Sequence, residues 1–141
     1  MKTFLDTSVL VSAVLVQQPQ HAASLALYAQ SDKRSTCCGL HSIAETYATL
    51  TGLPAKLRMT AQQALLFLED IRARLTIVRL DEQDYFSTIA SFATRDLLSG
   101  AIYDALLARC AINCGAEALY TWNVSDFQRF GPEVSRLVRT P

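Results

Sequence analysis

The stretch Lys2-Thr3-Phe4-Leu5-Asp6-Thr7-Ser8-Val9-Leu10 decides the fold that the sequence predicts. Its apolar start predicts a short buried strand that ends at Asp6. Thr7 and Ser8 suit the N-cap of a helix that begins near Ser8. In an open parallel sheet, ligands bind beyond the carboxyl ends of the strands. Asp6 is therefore expected at the edge of the sheet where such folds bind their ligands. The alternative is that Asp6 only caps the following helix.

Length and composition predict one globular domain. The 141 residues are 50% hydrophobic and 18% charged, which excludes a disordered chain, so we expect a single domain over residues 1–141. The 13 basic and 13 acidic residues balance, and net charge gives no argument for nucleic-acid binding. Strand-like sequence follows Met1 and Lys2 without a long apolar run. We therefore expect a cytoplasmic protein with neither a signal peptide nor a membrane span.

Beyond the first strand, the spacing of apolar residues alternates between strand and helix periods. This alternation predicts an α/β fold, a three-layer α/β/α sandwich with a mainly parallel central sheet of four to five strands. The later strands are predicted at 35–38, 75–80 and 118–121, with an edge strand at 134–139. Helices are predicted at about 9–14, 21–30, 40–50, 59–70, 81–92 and 101–113, with a short helix near residue 127.

Four acidic residues occupy related positions in this pattern. Asp6 ends the first strand, Glu45 lies in the helix after the second, Asp104 interrupts an apolar helix, and Asp126 follows the fourth strand. These positions can converge at one end of a doubly wound sheet. Carboxylates brought together repel one another unless a cation lies among them, and oxygen-only ligands favour Mg²⁺ or Mn²⁺ over zinc. The pattern therefore indicates a metal-dependent hydrolytic site.

Four segments make the chain resemble the PIN-domain ribonucleases, in particular VapC-type toxins of toxin–antitoxin pairs. They are Phe4-Leu5-Asp6-Thr7-Ser8-Val9-Leu10, Ser42-Ile43-Ala44-Glu45, Tyr103-Asp104-Ala105-Leu106-Leu107-Ala108 and Tyr120-Thr121-Trp122-Asn123-Val124-Ser125-Asp126-Phe127. The resemblance implies a PIN-like fold and a metal-dependent, single-strand-specific endoribonuclease that leaves 5′-phosphate and 3′-hydroxyl ends. It also implies an RNA substrate, a cognate antitoxin protein and a homodimer.

The same resemblance assigns roles to individual residues. It implies that Asp6 and Asp104 bind Mg²⁺ or Mn²⁺ and that Glu45 and Asp126 complete the catalytic site. Ser8, Thr121 and Asn123 are implied as supporting residues. Ser8 stands where many relatives have Asn, and Asn123 stands where some have Asp, so the fourth acid is expected to be Asp126.

Two other functions remain open from the sequence. A haloacid-dehalogenase-type phosphatase also begins with a strand and an Asp, but it needs Asp-x-Asp and a downstream Lys. Ser8 occupies the position of the second Asp, and no lysine follows Lys56. The other alternative is a catalytically weak PIN-like module that binds RNA or a protein partner without cutting.

The four cysteines predict buried free thiols. Cys37 and Cys38 are adjacent in a strand and should lie on opposite faces of the sheet. Cys110 and Cys114 are four residues apart in a helix and lack the C-x-x-C spacing of common zinc sites. In a reducing compartment, such residues act as small apolar side chains.

Overall fold

Five short parallel strands form the centre of the protein, with helices on both faces. The computed structural model describes residues 1–141. The strands are β1 (Thr3–Leu5), β2 (Thr36–Gly39), β3 (Thr76–Val78), β4 (Ala118–Tyr120) and β5 (Val138–Arg139), in the order β3-β2-β1-β4-β5. The helices are α1 (Thr7–Ser12), α2 (His21–Ala29), α3 (Leu40–Thr51), α4 (Ala61–Arg74), α5 (Glu82–Thr94), α6 (Ala101–Asn113), α7 (Val124–Gln128) and α8 (Pro132–Ser135). Every neighbouring pair of strands is parallel, as the sequence predicted.

Alternating side chains of the strands build a separate core on each face of the sheet. Phe4 and Cys37 belong to one cluster, which packs against α6, α7 and α8. Leu5 and Cys38 belong to the other, which packs against α1, α2 and α4. This alternation confirms the three-layer sandwich and the prediction that the adjacent cysteines lie on opposite faces. All four cysteines are free thiols, but only Cys37, Cys38 and Cys110 are buried as predicted, since Cys114 at the end of α6 is partly exposed.

The strand order creates a topological switch point beside β1. The chain builds outward from β1 through β2 to β3, and then returns to place β4 on the other side of β1. Thr3 pairs with Thr36 of β2 on one side and with Ala118 of β4 on the other. In open α/β sheets, the crevice at such a reversal is where ligands bind. The carboxyl ends of β1 and β4 therefore define the site.

Three local predictions were wrong in detail. The predicted strand at 75–80 is shorter, Thr76–Val78, because it lies at the sheet edge and pairs only with β2. The predicted edge strand at 134–139 contains only Val138–Arg139. Its first part belongs to α8, since Pro132 presets a helical start and the helix buries Val134. Finally, Asp6 itself caps α1, in place of Thr7 or Ser8.

None of the helices is long and apolar enough to cross a membrane.

Gly39 allows α6 to pack directly on the end of β2. A Cβ atom at this position would lie 2.5 Å from Leu107 Cδ2, 3.5 Å from Phe4 Cζ and 3.7 Å from Cys110 Sγ. Leu107 is fully buried and cannot swing aside into solvent. Close packing at Gly39 therefore sets the separation between α6, which carries Asp104, and the start of α3, which carries Glu45.

We expect Gly39→Ala to destabilise the protein by about 1–3 kcal/mol, because the added methyl overpacks the core. Urea denaturation measures the change. Combining it with Leu107→Ala should cost less than the sum of the two single changes, since the second removes the clashing atom. Gly100→Ala is the matched control, because the nearest atom to its added Cβ is 4.0 Å away. Unchanged stability of Gly39→Ala would contradict this account.

Candidate active site

Asp6 is a buried carboxylate at the carboxyl end of the central strand. Its backbone N–H donates to Tyr120 O at 3.0 Å, and its carbonyl accepts from Val9 and Leu10 as α1 begins. The residue is only 2% exposed. It is therefore a helix cap, and the cap lies at the edge of the sheet where the sequence predicts the site, so capping does not exclude a role in that site.

Donors from two elements hold one oxygen of Asp6. Thr121 Oγ1 and Ser8 Oγ each donate to Oδ2 at 2.8 Å, and Ser8 N donates to the same atom at 3.4 Å. All three of these contacts fall on Oδ2. Burial raises the pKa of the Asp6 carboxyl, and the hydrogen bonds from Thr121 and Ser8 oppose that rise. The structure thus places Ser8 and Thr121 in contact with Asp6, at the junction of β1 and β4.

Asn123 and Trp122 continue this network along the loop after β4. Asn123 N donates to Thr121 Oγ1 at 2.9 Å, and Trp122 N donates to Ser8 Oγ at 3.0 Å. The Trp122 indole donates to Ser24 Oγ at 2.8 Å. These bonds fix the loop against α1 and α2. The Asn123 side chain is exposed and lines the cavity described below.

Glu45 reaches the same region from α3, the helix that follows β2. Thr7 Oγ1 lies 2.9 Å from Glu45 Oε1 and 2.9 Å from Ser42 Oγ, so the first turn of α1 orients this carboxylate. His41 Nε2 lies 4.0 Å from Glu45 Oε1 on the same face of the helix. His41, Ser42 and Glu45 therefore share one face of α3, as residues three and four apart on a helix do.

Asp104 is the least compensated acid of the group. It lies in the first turn of α6. Partial burial and the nearby carboxylates of Asp6, Glu45 and Asp126 raise the pKa of Asp104 to about 7. Arg129 lowers it slightly, and no hydrogen-bond donor does so. A half-buried acid without a donor, among three other acids, is poised to accept a cation.

Asp126 lies at the rim of this acid group. It is in the first turn of α7, its side chain is 48% exposed, and Oδ1 lies 3.7 Å from Arg129 Nη2. The residue is close enough to raise the pKa of Asp104. It is nevertheless the most peripheral of the four, and its surface ion pair with Arg129 contributes little stability.

A cavity of about 340 Å³ joins the acids. Asp6, Glu45 and Asp104 line it, together with Ser8 and Asn123. Asp126 and Thr121 do not, since Asp126 lies outside and Thr121 is buried behind Asp6. The structure therefore brings three of the predicted acids to one cavity and leaves the fourth at its edge.

Sequence reasoning missed several residues that shape this cavity. Thr7 orients Glu45, although its local pattern indicates only a helix cap. Ser12 Oγ and Ser24 Oγ lie 2.6 Å apart and anchor the Trp122 indole through Ser24. The only available signal was the concentration of small hydroxyl residues around the acids, and it does not identify these pairs.

The structure shows no group of three or more His, Cys, Asp or Glu side chains arranged to hold a metal ion. The acids line the same cavity, but three of them do not converge on a single position.

Comparisons with known proteins identify the family. The family model for the PIN domain matches residues 3–131. Ribonuclease VapC27 of Mycobacterium tuberculosis is 34% identical over 113 residues, which cover 79% of this chain and 78% of that protein. The chain therefore belongs to the PIN-domain family, and within it to the VapC-type ribonucleases. This assignment removes the phosphatase alternative.

Solved structures share the fold at lower identity. The M. tuberculosis toxin VapC20, described as cleaving the sarcin-ricin loop, aligns with a TM-score of 0.71 at 14% identity, covering 89% of this chain and 92% of that one. A toxin–antitoxin complex from Klebsiella pneumoniae aligns with a TM-score of 0.64 at 20% identity, covering 99% and 98%. At these identities the likeness shows a common fold.

The raised pKa of Asp104 should make the metal-free protein less stable at higher pH. The folded protein keeps the Asp104 proton up to about pH 7, whereas the ordinary value for this group is 3.8. Stability therefore falls as the pH rises between these values, because the folded state binds more protons there than the unfolded state. We expect the melting temperature in EDTA to fall as the pH rises from about 5 to about 7, and Asp104→Asn to reduce that fall.

Glu82→Gln, which removes an exposed acid in the first turn of α5, is the control for this measurement. It should leave the pH dependence unchanged. Some slope should remain in Asp104→Asn, since the raised pKa of Asp6 acts with the same sign. A full wild-type slope in Asp104→Asn would show that Asp104 is not the strained acid.

Proposed function

We propose that this chain is a divalent-metal-dependent endoribonuclease and the toxin of a toxin–antitoxin pair. Its catalytic acids are Asp6, Glu45 and Asp104, with Asp126 at the rim. One observation carries the proposal: Asp104 has no compensating donor and faces Asp6 and Glu45 in the cavity at the switch point. The family's ribonuclease relatives support the reaction class.

The donor set fits Mg²⁺ or Mn²⁺. The cavity offers carboxylate, hydroxyl and amide oxygens, which hard cations prefer, and no histidine is among the residues that line it. Mg²⁺ retains several waters and is commonly bound through one or two carboxylates. Asp6 and Asp104 are the proposed ligands, and the carboxylates of Glu45 and Asp126 add negative charge around the ion and complete the site.

The protein's own residues prepare this cavity for the reaction. Thr121 and Ser8 fix Oδ2 of Asp6 and so hold the carboxylate in one orientation. Thr7 orients Glu45, and Asn123 lies where it can orient water or the substrate phosphate. A divalent ion bound here would supply Lewis-acid stabilisation and a more acidic water.

The proposed products carry 5′-phosphate and 3′-hydroxyl ends. In this scheme water attacks the phosphorus and the 3′ oxygen leaves, so the RNA 2′-hydroxyl forms no cyclic phosphate. The substrate is proposed to be single-stranded RNA or a loop, because unpaired bases are open to side chains and the deep groove of duplex RNA is not.

The test is cleavage of RNA by purified protein with Mg²⁺ or Mn²⁺. We expect cleavage that EDTA abolishes, 5′-phosphate ends on mapping, and a loss of at least about 100-fold in Asp6→Asn, because each acid contributes to charge stabilisation. Thr121→Val should lose less, since it acts through Asp6. Glu82→Gln should match the wild type. Cyclic-phosphate ends, or cleavage that survives both EDTA and Asp6→Asn, would overturn the mechanism.

Metal binding is measured on the same proteins without RNA. An ion that binds only the folded state stabilises it, by about 2.7 kcal/mol at 100 times its Kd. Mn²⁺ should therefore raise the melting temperature of the wild type but not that of Asp104→Asn. A metal response without RNA cleavage would favour the alternative of a PIN-like binding module.

The proposed partners are a cognate antitoxin and a second copy of the chain. The support for the antitoxin is the K. pneumoniae relative, which is a toxin–antitoxin complex of the same fold. Expression of the chain alone should arrest growth, and co-expression of the cognate antitoxin should relieve the arrest. Asp6→Asn should be harmless in both settings. Growth arrest that persists in Asp6→Asn would show that toxicity does not depend on the acid cavity.

The homodimer is tested separately, by light scattering of the purified chain.

A further inference from the structure

Two aromatic rings stack beside Glu45 and Asp104, two of the acids that line the cavity. The rings of His41 and Tyr103 lie 4.9 Å apart between centroids and 12° from parallel. His41 is on α3, four residues before Glu45, and Tyr103 is on α6, directly before Asp104. Each ring is therefore attached to a helix turn that carries one of the acids.

Neither ring is part of the core. Tyr103 is 48% exposed, and its hydroxyl makes no hydrogen bond within the protein. The His41 side chain is 33% exposed, and its Nε2 lies 4.0 Å from Glu45 Oε1. His41 covers one face of the Tyr103 ring, so the exposure of Tyr103 lies on its remaining surface. A ring held in one orientation beside the acids therefore presents an open surface to a ligand.

Stacked nucleobases are the natural ligand for such a surface. Every base has a π-face, and stacking of one base on an aromatic side chain contributes about 1–3 kcal/mol without base-specific hydrogen bonds. In single-stranded RNA, a base is linked through its ribose to the phosphate beside it. A phosphate at the acids thus places the neighbouring base within reach of the adjoining helix turn.

We propose that Tyr103 is the stacking surface for an unpaired nucleobase next to the scissile phosphate, and that His41 is a positioning residue that holds the Tyr103 ring. This inference rests on the proposed function and adds a substrate contact to it. Tyr103 thereby contributes to the preference for unpaired RNA, because a base paired in a helix keeps both faces stacked on its neighbours and has none to offer.

Binding is measured first, in the Asp6→Asn background so that cleavage does not interfere. Fluorescence anisotropy follows a short single-stranded RNA that contains the mapped cleavage site. Adding Tyr103→Ala should raise Kd about tenfold or more, which corresponds to the loss of one stacked base. Tyr103→Phe should bind like the parent, since it keeps the ring. Tyr47→Ala is the matched control, because Tyr47 is a tyrosine of similar exposure, 39%, elsewhere on α3.

An abasic substrate identifies the base that stacks. Removing the base on one side of the cleaved bond should weaken binding to the Asp6→Asn protein about tenfold, and should weaken binding to Asp6→Asn/Tyr103→Ala little further. The wild type should show the same pattern as a rise in KM with a smaller change in kcat. Equal losses from the abasic substitution in both proteins, on either side of the bond, would overturn the proposal.

His41 requires a readout that a purely structural residue would not give. His41→Ala should raise Kd by less than Tyr103→Ala does, with no additional effect in the double variant. His41→Phe should restore binding, because another flat ring can support Tyr103. Loss of binding in His41→Phe equal to that in His41→Ala would remove the positioning role.

The two proposals fail in different ways. Full RNA binding by Tyr103→Ala, together with metal-dependent cleavage by the wild type, would overturn the stacking surface and leave the ribonuclease intact. Binding that depends on Tyr103, without cleavage by the wild type, would support the stacking surface and contradict the ribonuclease. A Tyr103→Ala protein that binds RNA normally but loses its dimer or its antitoxin would assign the ring to a protein interface instead.

Discussion

The hydrogen bond from Thr121 to Asp6 joins the two strands that define the switch point. A carboxylate that is 2% exposed needs donors, and Thr121 from the end of β4 and Ser8 from α1 supply them to a single oxygen. The bond thereby fixes the start of α1 relative to the loop after β4. The start of α1 also sets the position of Thr7, and the Thr7 hydroxyl in turn orients Glu45. The relative positions of the site residues thus depend on the hydrogen bonds that the buried Asp6 carboxylate accepts.

Charge repulsion is the cost of this arrangement. The structure satisfies Asp6 and orients Glu45 but provides no donor for Asp104, whose pKa rises to about 7. Replacing Asp104 by a neutral residue of similar size would remove this repulsion and stabilise the metal-free protein. The unfavourable charge is therefore better explained by function than by folding. Enzymes commonly retain such locally unfavourable groups where a ligand is to bind, at the expense of stability. Asp126 adds no fourth unpaired charge to the cavity, because it lies at the rim and forms an ion pair with Arg129.

The sequence predicts the residues that break a local pattern and misses those that act over long separations. Asp6 ends an apolar strand and Asp104 interrupts an apolar helix, so both are visible without any structure. Glu45 is an ordinary helical residue, and only the family resemblance distinguishes it. The bond from Thr7 to Glu45 spans 38 residues and that from Trp122 to Ser24 spans 98, and no local pattern encodes such pairs. Strand propensity likewise marks residues 75–80 but does not report that β3 lies at the edge with one partner.

Trp122 is the chain's single tryptophan, and its surroundings make it an optical probe of the cavity. Its indole N–H is bonded to Ser24, its backbone N–H to Ser8, and its side chain lines the space between the acids. Indole emission depends on the polarity around the ring and on quenching groups nearby. The tryptophan fluorescence of the unlabelled protein therefore comes from a single residue that lines the acid cavity. Occupancy of the cavity and exposure of the core on unfolding can consequently be followed as separate spectral changes, without introducing any foreign label.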